Sequence, residues 1–334
     1  MSKTVYIGRF TPTTGGVTAK NSAIFSELSK HIKIKKLDLT LLKKGKISML
    51  FSLLNALCTR RGSLIIGTTA KPRRFLSKFL YYFNRKVMNR SVLMVMGGAF
   101  GDIVSKDKAY QKWVSGYKAV FVETERMKNQ LEAIGLTNIR IFENCRRKPE
   151  TKIEVNSRDG RLKCVCFSMI YPEKGIDTVL QAAKELTDIT FDFWGPIDSA
   201  YEEEFLSCAA KLPNCHYRGV FKVQGDNVYN MLNGYDLLLF PTRMEGEGVP
   251  GTLIEAKIAA LPSIVSDVAH NSVLVQDGIN GIVLKENTVE CLIDTIKIAE
   301  KNDEFLTKLK CGAKESGKKY YFEKHIDELL SSLK

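Results

Sequence analysis

The chain has 334 residues, 44% of them hydrophobic and 26% charged, with a formal net charge of +13. That fits two globular domains of roughly 150 residues, with no run near the roughly 20 apolar residues that cross a bilayer and no long apolar opening of a secretory signal. None of the eight cysteines forms a Cys-x-x-Cys pair and the four histidines show no ligand spacing, so reduced cysteines in a reducing compartment and no metal are expected.

In chain order, the first half alternates apolar strands with amphipathic helices. Strands are predicted at Val5–Gly8, Ile34–Leu37, Ser63–Gly67, Val92–Met96, Ala119–Val122 and Ile139–Phe142. Helices are predicted at Thr18–Ser29, Ile47–Leu57, Arg74–Phe83 and Arg126–Ile134. Residues 146–161 are polar, carry Pro149 and Gly160, lack apolar periodicity and read as a linker. A second series follows, with strands at Cys164–Ser168, Thr190–Trp194, Asp236–Phe240 and Ser263–Val265. Its helices fall at Ile176–Leu186, Tyr201–Lys211 and Thr252–Ala260, and a last helix spans Glu323–Leu333 after Gly317. Strand and helix in alternation predict parallel α/β sheets. The expected domains are 1–150 and 151–315, each Rossmann-like, with 316–334 packing back on the first. Two such domains in tandem would leave a cleft at the carboxyl ends of their strands, where these folds bind ligands.

Charge is uneven. Residues 1–160 carry 31 Lys and Arg against 11 Asp and Glu, whereas residues 161–334 carry 19 against 26. Residues 51–100 hold no acid at all. A strongly basic half points to an anionic partner: a membrane surface, a phosphorylated lipid or a nucleic acid. No nucleic-acid motif accompanies it, so the membrane or lipid is preferred. The apolar stretch Leu50–Leu57 and the aromatic stretch Phe75–Phe83 are the candidates to lie on an interface.

The densest chemistry sits between Phe240 and Glu255. A strand ends, a glycine-rich acidic loop follows, and a helix begins near Gly251 or Thr252. Loop glycines let backbone amides come close to a ligand. A helix N-terminus offers unpaired N–H groups to phosphate. Carboxylates accept hydrogen bonds from sugar or ribose hydroxyls. The same acids could equally do no more than cap the helix.

Glu247 and Glu255, with seven residues between them that include Gly248 and Pro250, resemble the signature of glycosyltransferase family 4, retaining enzymes of the GT-B fold. The flanks agree: Asp236-Leu-Leu-Leu-Phe240-Pro241 before the motif, Ala259–Asp267 and Asp277-Gly278-Ile279-Asn280-Gly281 after it. Upstream, Pro172-Glu173-Lys174-Gly175 is similar to the family's lysine-bearing turn, and Asp192–Pro196 fits as well. Gly15-Gly16-Val17, after the first strand, is similar to the family's acceptor-side glycine loop.

The resemblance implies a two-domain GT-B enzyme that moves a sugar from a UDP- or GDP-linked donor to a glycan or polyprenyl-diphosphate-linked acceptor. It implies retention of configuration without a metal or other cofactor, in the making of bacterial surface polysaccharide or glycolipid such as lipopolysaccharide or capsule. The work would be cytoplasmic, at the inner face of the cell membrane. Glu247 would touch the donor sugar, Glu255 the ribose and Lys174 the diphosphate. Amides near Gly248, Val249, Gly251 and Thr252 would hold sugar and phosphates, Gly195 would border the donor, and Gly16 would let the backbone approach from the first domain. Two departures stand out. The usual arginine five residues before the lysine is Met169, for which Arg243 is the candidate substitute. The usual histidine of the first domain is missing from Val95–Asp102. Glu245 competes with Glu247 for the first glutamate's place. A non-catalytic glycosyltransferase-like subunit and an epimerase or phosphorylase-like protein of the same architecture stay open.

Overall fold

The structure, a computed structural model, describes residues 4–11, 16–43, 45, 47–59, 61–246 and 248–333. The chain forms two compact units, Met1–Arg147 with Tyr321–Lys334, and Lys148–Tyr320.

The first unit is built on a parallel sheet of six strands: β1 (Thr4–Gly8), β2 (Ile34–Asp38), β3 (Ser63–Gly67), β4 (Val92–Met94), β5 (Ala119–Val122) and β6 (Ile139–Ile141), in the order β2-β1-β3-β4-β5-β6. The sequences of β1, β3, β4 and β5 are nearly all apolar and wholly buried. Such strands suit a sheet covered on both faces. On one face Ile7, Leu64, Ile66, Leu93 and Val120 pack with Leu76 and Leu80 of the helix Ala70–Phe83. On the other, Tyr6, Ile65, Met94 and Phe121 pack with Ile24 and Leu28 of the helix Gly16–His31. Phe322, Ile326 and Leu329 complete that second face, which is why the last helix, Ile326–Leu333, belongs to this unit. Two buried cations are held in different ways. Lys20 pairs with Glu123 at 2.5 Å, both about 95% buried. Arg73 instead donates to the Tyr110 hydroxyl and the Met96 carbonyl, 3.2 Å each, and lies 4.4 Å over the Phe100 ring.

The second unit repeats the plan with β7 (Lys163–Phe167), β8 (Thr190–Trp194), β9 (Cys215–Gly219), β10 (Leu237–Phe240), β11 (Ser263–Ser266) and β12 (Gly281–Leu284), all parallel. Their order is β12-β11-β10-β7-β8-β9. Strand order therefore reverses between β7 and β10. Loops leaving those two strands diverge, and the crevice between them is where doubly wound sheets take ligands.

The central strands fall where the sequence places them. The edge strands β9 and β12 do not appear in the sequence reading. β9, with His216 and Arg218 part-exposed, has a polar pattern because an edge strand is covered less completely. β12 is hidden behind the turn Asp277–Gly281. A Cβ at Gly281 would lie 2.4 Å from the Ser263 carbonyl oxygen, so glycine is what lets β12 close on β11. The helix expected from Arg74 begins at Ala70. Pro72 sits in its first turn, where a missing N–H costs nothing. The last helix begins at Ile326 after two single 3-10 turns, not at Glu323.

Two lysines are buried in the second unit. Lys310 pairs with Asp236 at 2.8 Å, and the other Asp236 oxygen accepts from the Lys163 amide. Lys257 donates to Ser316 Oγ at 3.0 Å, with no carboxylate partner among the described residues. Burial, with Lys319 as the lesser cause, pushes its ammonium down to about 7. An unfolded lysine titrates near 10.4. Between those values the unfolded chain holds a proton that the folded chain lacks, so stability rises with pH across that window. Lys257→Met is expected to be more stable than wild type at pH 7, with the advantage shrinking toward pH 10 by at most about 1.4 kcal/mol per pH unit. Urea unfolding at four pH values measures it, and a pH-independent difference contradicts it.

Candidate functional site

The loops leaving β7 and β10 are tied together across the crevice by backbone. After β7 the chain makes a 3-10 turn, Pro172–Lys174, closed by Gly175 at φ 75°. That left-handed value favours glycine. Space demands it too, because a Cβ at Gly175 would sit 2.1 Å from the Pro241 carbonyl oxygen. The loop after β10 returns the contact. The Arg243 amide donates to the Glu173 carbonyl at 2.8 Å, and Thr242 Oγ1 donates to it at 3.2 Å. The Arg243 guanidinium donates to the Pro172 carbonyl at 2.6 Å, to Asp177 at 2.5 Å and to Thr178 Oγ1 at 3.1 Å. Lys174 is thereby held over the end of β10, its Nζ 4.9 Å from the centre of the Phe240 ring.

Beyond Arg243 the loop carries Glu245 and Gly246, both exposed. Glu247, the first glutamate of the sequence motif, lies outside the described residues. Gly248 is half-buried, while Val249 and Pro250 are buried and anchor the entry to the helix Gly251–Ile258. Pro250 is the N-cap, with no side-chain cap and no acid in the first turn. At the cap and in the first turn, no acidic side chain among the described residues offsets the positive end of the helix, which is an arrangement that attracts an anion. Thr252 Oγ1 is buried with no hydrogen-bond partner among the described residues. Glu255 is half-buried one turn further along the same helix.

The remaining sequence candidates are placed as follows. Met169 is 43% exposed, two residues past the end of β7. Arg243, its candidate substitute, has its guanidinium engaged by Pro172, Asp177 and Thr178, so what it demonstrably does is brace the turn that carries Lys174. Gly195 has φ 146°, and a Cβ there would lie 1.8 Å from the Ser168 carbonyl oxygen. Close backbone packing between the ends of β7 and β8 thus explains that glycine. Gly16 opens the helix Gly16–His31 of the first unit, and a Cβ there would meet nothing within 4 Å. Gly175 and Gly195 are thus both required by close backbone approach at positive φ, whereas nothing within 4 Å requires a glycine at position 16.

Two further places support the site, the end of β11 and the loop after β12, and neither was singled out as part of it in the sequence. Ser266 Oγ, at the end of β11, donates to the Thr242 carbonyl at 2.5 Å. Asn287 Nδ2 points at the Pro241 and Thr242 carbonyls, 3.4 Å from each. Just beyond Ser266, Ala269 holds φ 56°, a left-handed value that costs a residue with a Cβ about 1 kcal/mol. An alanine announces nothing of this. Serine and asparagine at strand ends are too common to single out.

Comparison with known proteins agrees with this geometry. Residues 147–316 match the family model described as glycosyl transferases group 1. An uncharacterized glycosyltransferase of Methanocaldococcus jannaschii is 28% identical over 155 residues, which cover 46% of this chain and 43% of that relative. Anabaena HepE, solved with UDP and glucose, superposes with a TM-score of 0.70 at 13% identity over 100% of both chains. Sucrose-phosphate synthase of Thermosynechococcus elongatus superposes with a TM-score of 0.71 at 11% identity over 100% of this chain and 99% of its own. A variant of S. aureus TarM, solved with Fondaparinux, alpha-GlcNAc-glycerol and UDP, gives 0.63 at 17% identity, with 86% of this chain on 58% of that one. The chain thus spans less than two thirds of the M. jannaschii and S. aureus proteins. The two parallel sheets are those of the GT-B fold.

The bracing of the lysine turn is directly testable. Gly175→Ala adds a Cβ against Pro241 and forces alanine to positive φ, and it should lower stability by about 2 kcal/mol or more. Gly278→Ala, also at positive φ but in open space, should cost less. Thermal melting of the two variants compares them, and equal losses would remove the close approach as the reason for glycine.

Proposed function

The chain belongs to the glycosyl transferases group 1 family, and we propose that it transfers a sugar with retention from a UDP- or GDP-linked donor to a glycan or lipid-linked acceptor. The observations that carry this reading are Lys174, held over the end of β10, and the N-terminus of the helix Gly251–Ile258 that follows the same strand, both on loops that leave the point where strand order reverses. Both are positive, and both are fixed before any ligand arrives. Charge grows on the diphosphate as the sugar leaves, so groups already aimed there stabilise the transition state without reorganising.

In this reading Lys174 pairs with the diphosphate, and the amides of Gly251 and Thr252, with Gly248 and Val249 beside them, hold sugar and phosphates. Thr252 Oγ1 adds a donor for the same ligand. Glu255 accepts from the ribose and Glu247 from the donor sugar. Gly16 serves the close approach of ligand to the first unit, and Gly195 borders the donor. The leaving group is stabilised by these cations and amides and by no metal. The acceptor is a growing surface polysaccharide or glycolipid, handled at the inner face of the cell membrane. Relatives solved with UDP support a uridine donor over a guanosine one.

A second reading has one observation behind it. Met169 puts no cation where the family usually has one, and Arg243 is engaged elsewhere. A chain that binds the donor without turning it over would look the same.

Thermal shift against a panel of UDP- and GDP-sugars identifies the donor, and saturating donor should raise the melting temperature. Lys174→Ala and Glu255→Ala should each weaken donor affinity about tenfold or more, which is the loss of one charge-assisted hydrogen bond. Glu247→Ala should abolish transfer to membrane extracts while Glu245→Ala does not. NMR of the product should show the donor's anomeric configuration kept. Donor binding without transfer to any acceptor would support the second reading, and inversion would refute retention.

A further inference from the structure

The helix Ile47–Leu57 has no charged residue. One side packs on the first unit, where Ala56 and Leu57 are buried and Met49 and Leu53 partly so. Its other side presents Ile47, Leu50, Phe51 and Leu54 to solvent, 70%, 47%, 67% and 44% exposed. The spacing is i, i+3, i+4, i+7, a continuous apolar stripe of a kind that soluble surfaces seldom leave uncovered. The helix Ala70–Phe83 adds Phe75, Tyr82 and Phe83, each more than 60% exposed. The C-terminal ends of the two helices are joined. Asn84 Nδ2 donates to the Leu57 and Thr59 carbonyls at 2.9 and 3.2 Å. Between them opens a pocket of about 540 Å³ with apolar walls, Leu57, Phe79 and Phe83, and Lys86 at its side.

Charge says what covers this surface. From Leu39 to Gly101 there is no aspartate or glutamate. Lys43, Lys44 and Lys46 precede the striped helix in sequence, and Arg60 and Arg61 follow it. Exposed Lys71, Arg74, Lys78, Arg85, Lys86 and Arg90 surround the aromatic residues of the second helix. A protein partner recognised through an apolar stripe alone needs no such sign bias across 63 residues. A surface with an apolar interior behind a layer of negative charge needs both features together.

We propose that this face docks on an anionic phospholipid bilayer, with Ile47, Leu50, Phe51 and Leu54 inserted at the boundary of headgroups and acyl chains. The exposed Lys71, Lys78, Arg85 and Lys86 meet the lipid phosphates. The proposal deepens the functional reading, resting on it only in placing a lipid-linked acceptor at that membrane.

Co-sedimentation of the full chain with vesicles tests it without any transfer assay. Wild type should bind phosphatidylcholine vesicles containing phosphatidylglycerol at least about tenfold more tightly than phosphatidylcholine alone, and less so as salt rises. Phe51→Ser with Leu54→Ser should cost about tenfold or more in that binding, since two half-buried apolar groups are lost from the interface. Lys71→Gln with Lys86→Gln should reduce the preference for the anionic vesicles. All these positions are exposed, so melting temperature and the thermal shift with nucleotide-sugar should stay as in wild type. A failed donor screen with intact vesicle binding would count against the functional reading alone. Equal binding to both vesicle types, no binding to either, or serine variants that bind like wild type would overturn the proposal. So would a dimeric wild type that the serine variants make monomeric, because a second copy would then be the occupant.

Discussion

The second unit depends on one close approach. The backbone of Gly175 lies so near the Pro241 carbonyl that no side chain fits between them, although the two residues are far apart in sequence. Everything local to the candidate site follows from that contact. It puts Glu173 and Pro172 carbonyls within reach of Arg243 and Thr242, and it sets Lys174 over the ring that ends β10. The bonds from Ser266 and Asn287 then hold the far side of the same loop. A lysine on a flexible stem loses much rotational freedom when it must be ordered on binding. Fixing its backbone in advance removes the backbone share of that cost.

Charge is divided between the units in a way that matches their surfaces. The second unit buries its two interior lysines and keeps a slight acidic excess. The basic excess lies in the first half of the chain, on the helices around the exposed apolar stripe. Where a cation of the first unit is interior, it is neutralised or enclosed, as Lys20 is by Glu123 and Arg73 by hydroxyl, carbonyl and ring. The exposed cations have far fewer acids to meet.

Much of this was legible in the sequence. The strand, loop and helix from Phe240 to Glu255 stood out because apolar run, glycines and helix periodicity change abruptly there. Lys174 stood out because Pro172-Glu173-Lys174-Gly175 resembles the lysine-bearing turn of glycosyltransferase family 4. The α/β class and most central strands were readable from apolar runs. What escaped is what depends on pairing across the fold. Arg243 was read as a stand-in for the cation missing at Met169, but its partners Pro172, Asp177 and Thr178 lie some seventy residues away, and no local pattern links them. Gly195 was read as bordering the donor, while the contact that demands glycine there is with Ser168, just past the end of the neighbouring strand β7. β9 escaped because an edge strand tolerates polar residues, and β12 because its short apolar run follows directly on the turn Asp277–Gly281. The stretch Leu50–Leu57 was legible as a candidate for an interface, but which of its side chains face solvent was not, because that depends on how the helix packs on the first unit.

The most direct test of where the donor sits is hydrogen exchange with mass spectrometry, with and without a saturating nucleotide-sugar. Slower exchange is predicted in the peptides covering residues 171–176 and 248–255, with residues 47–57 unchanged. Exchange unaltered in both of the first two segments, at donor concentrations that raise the melting temperature, would contradict a donor held by Lys174 and the N-terminus of the helix Gly251–Ile258.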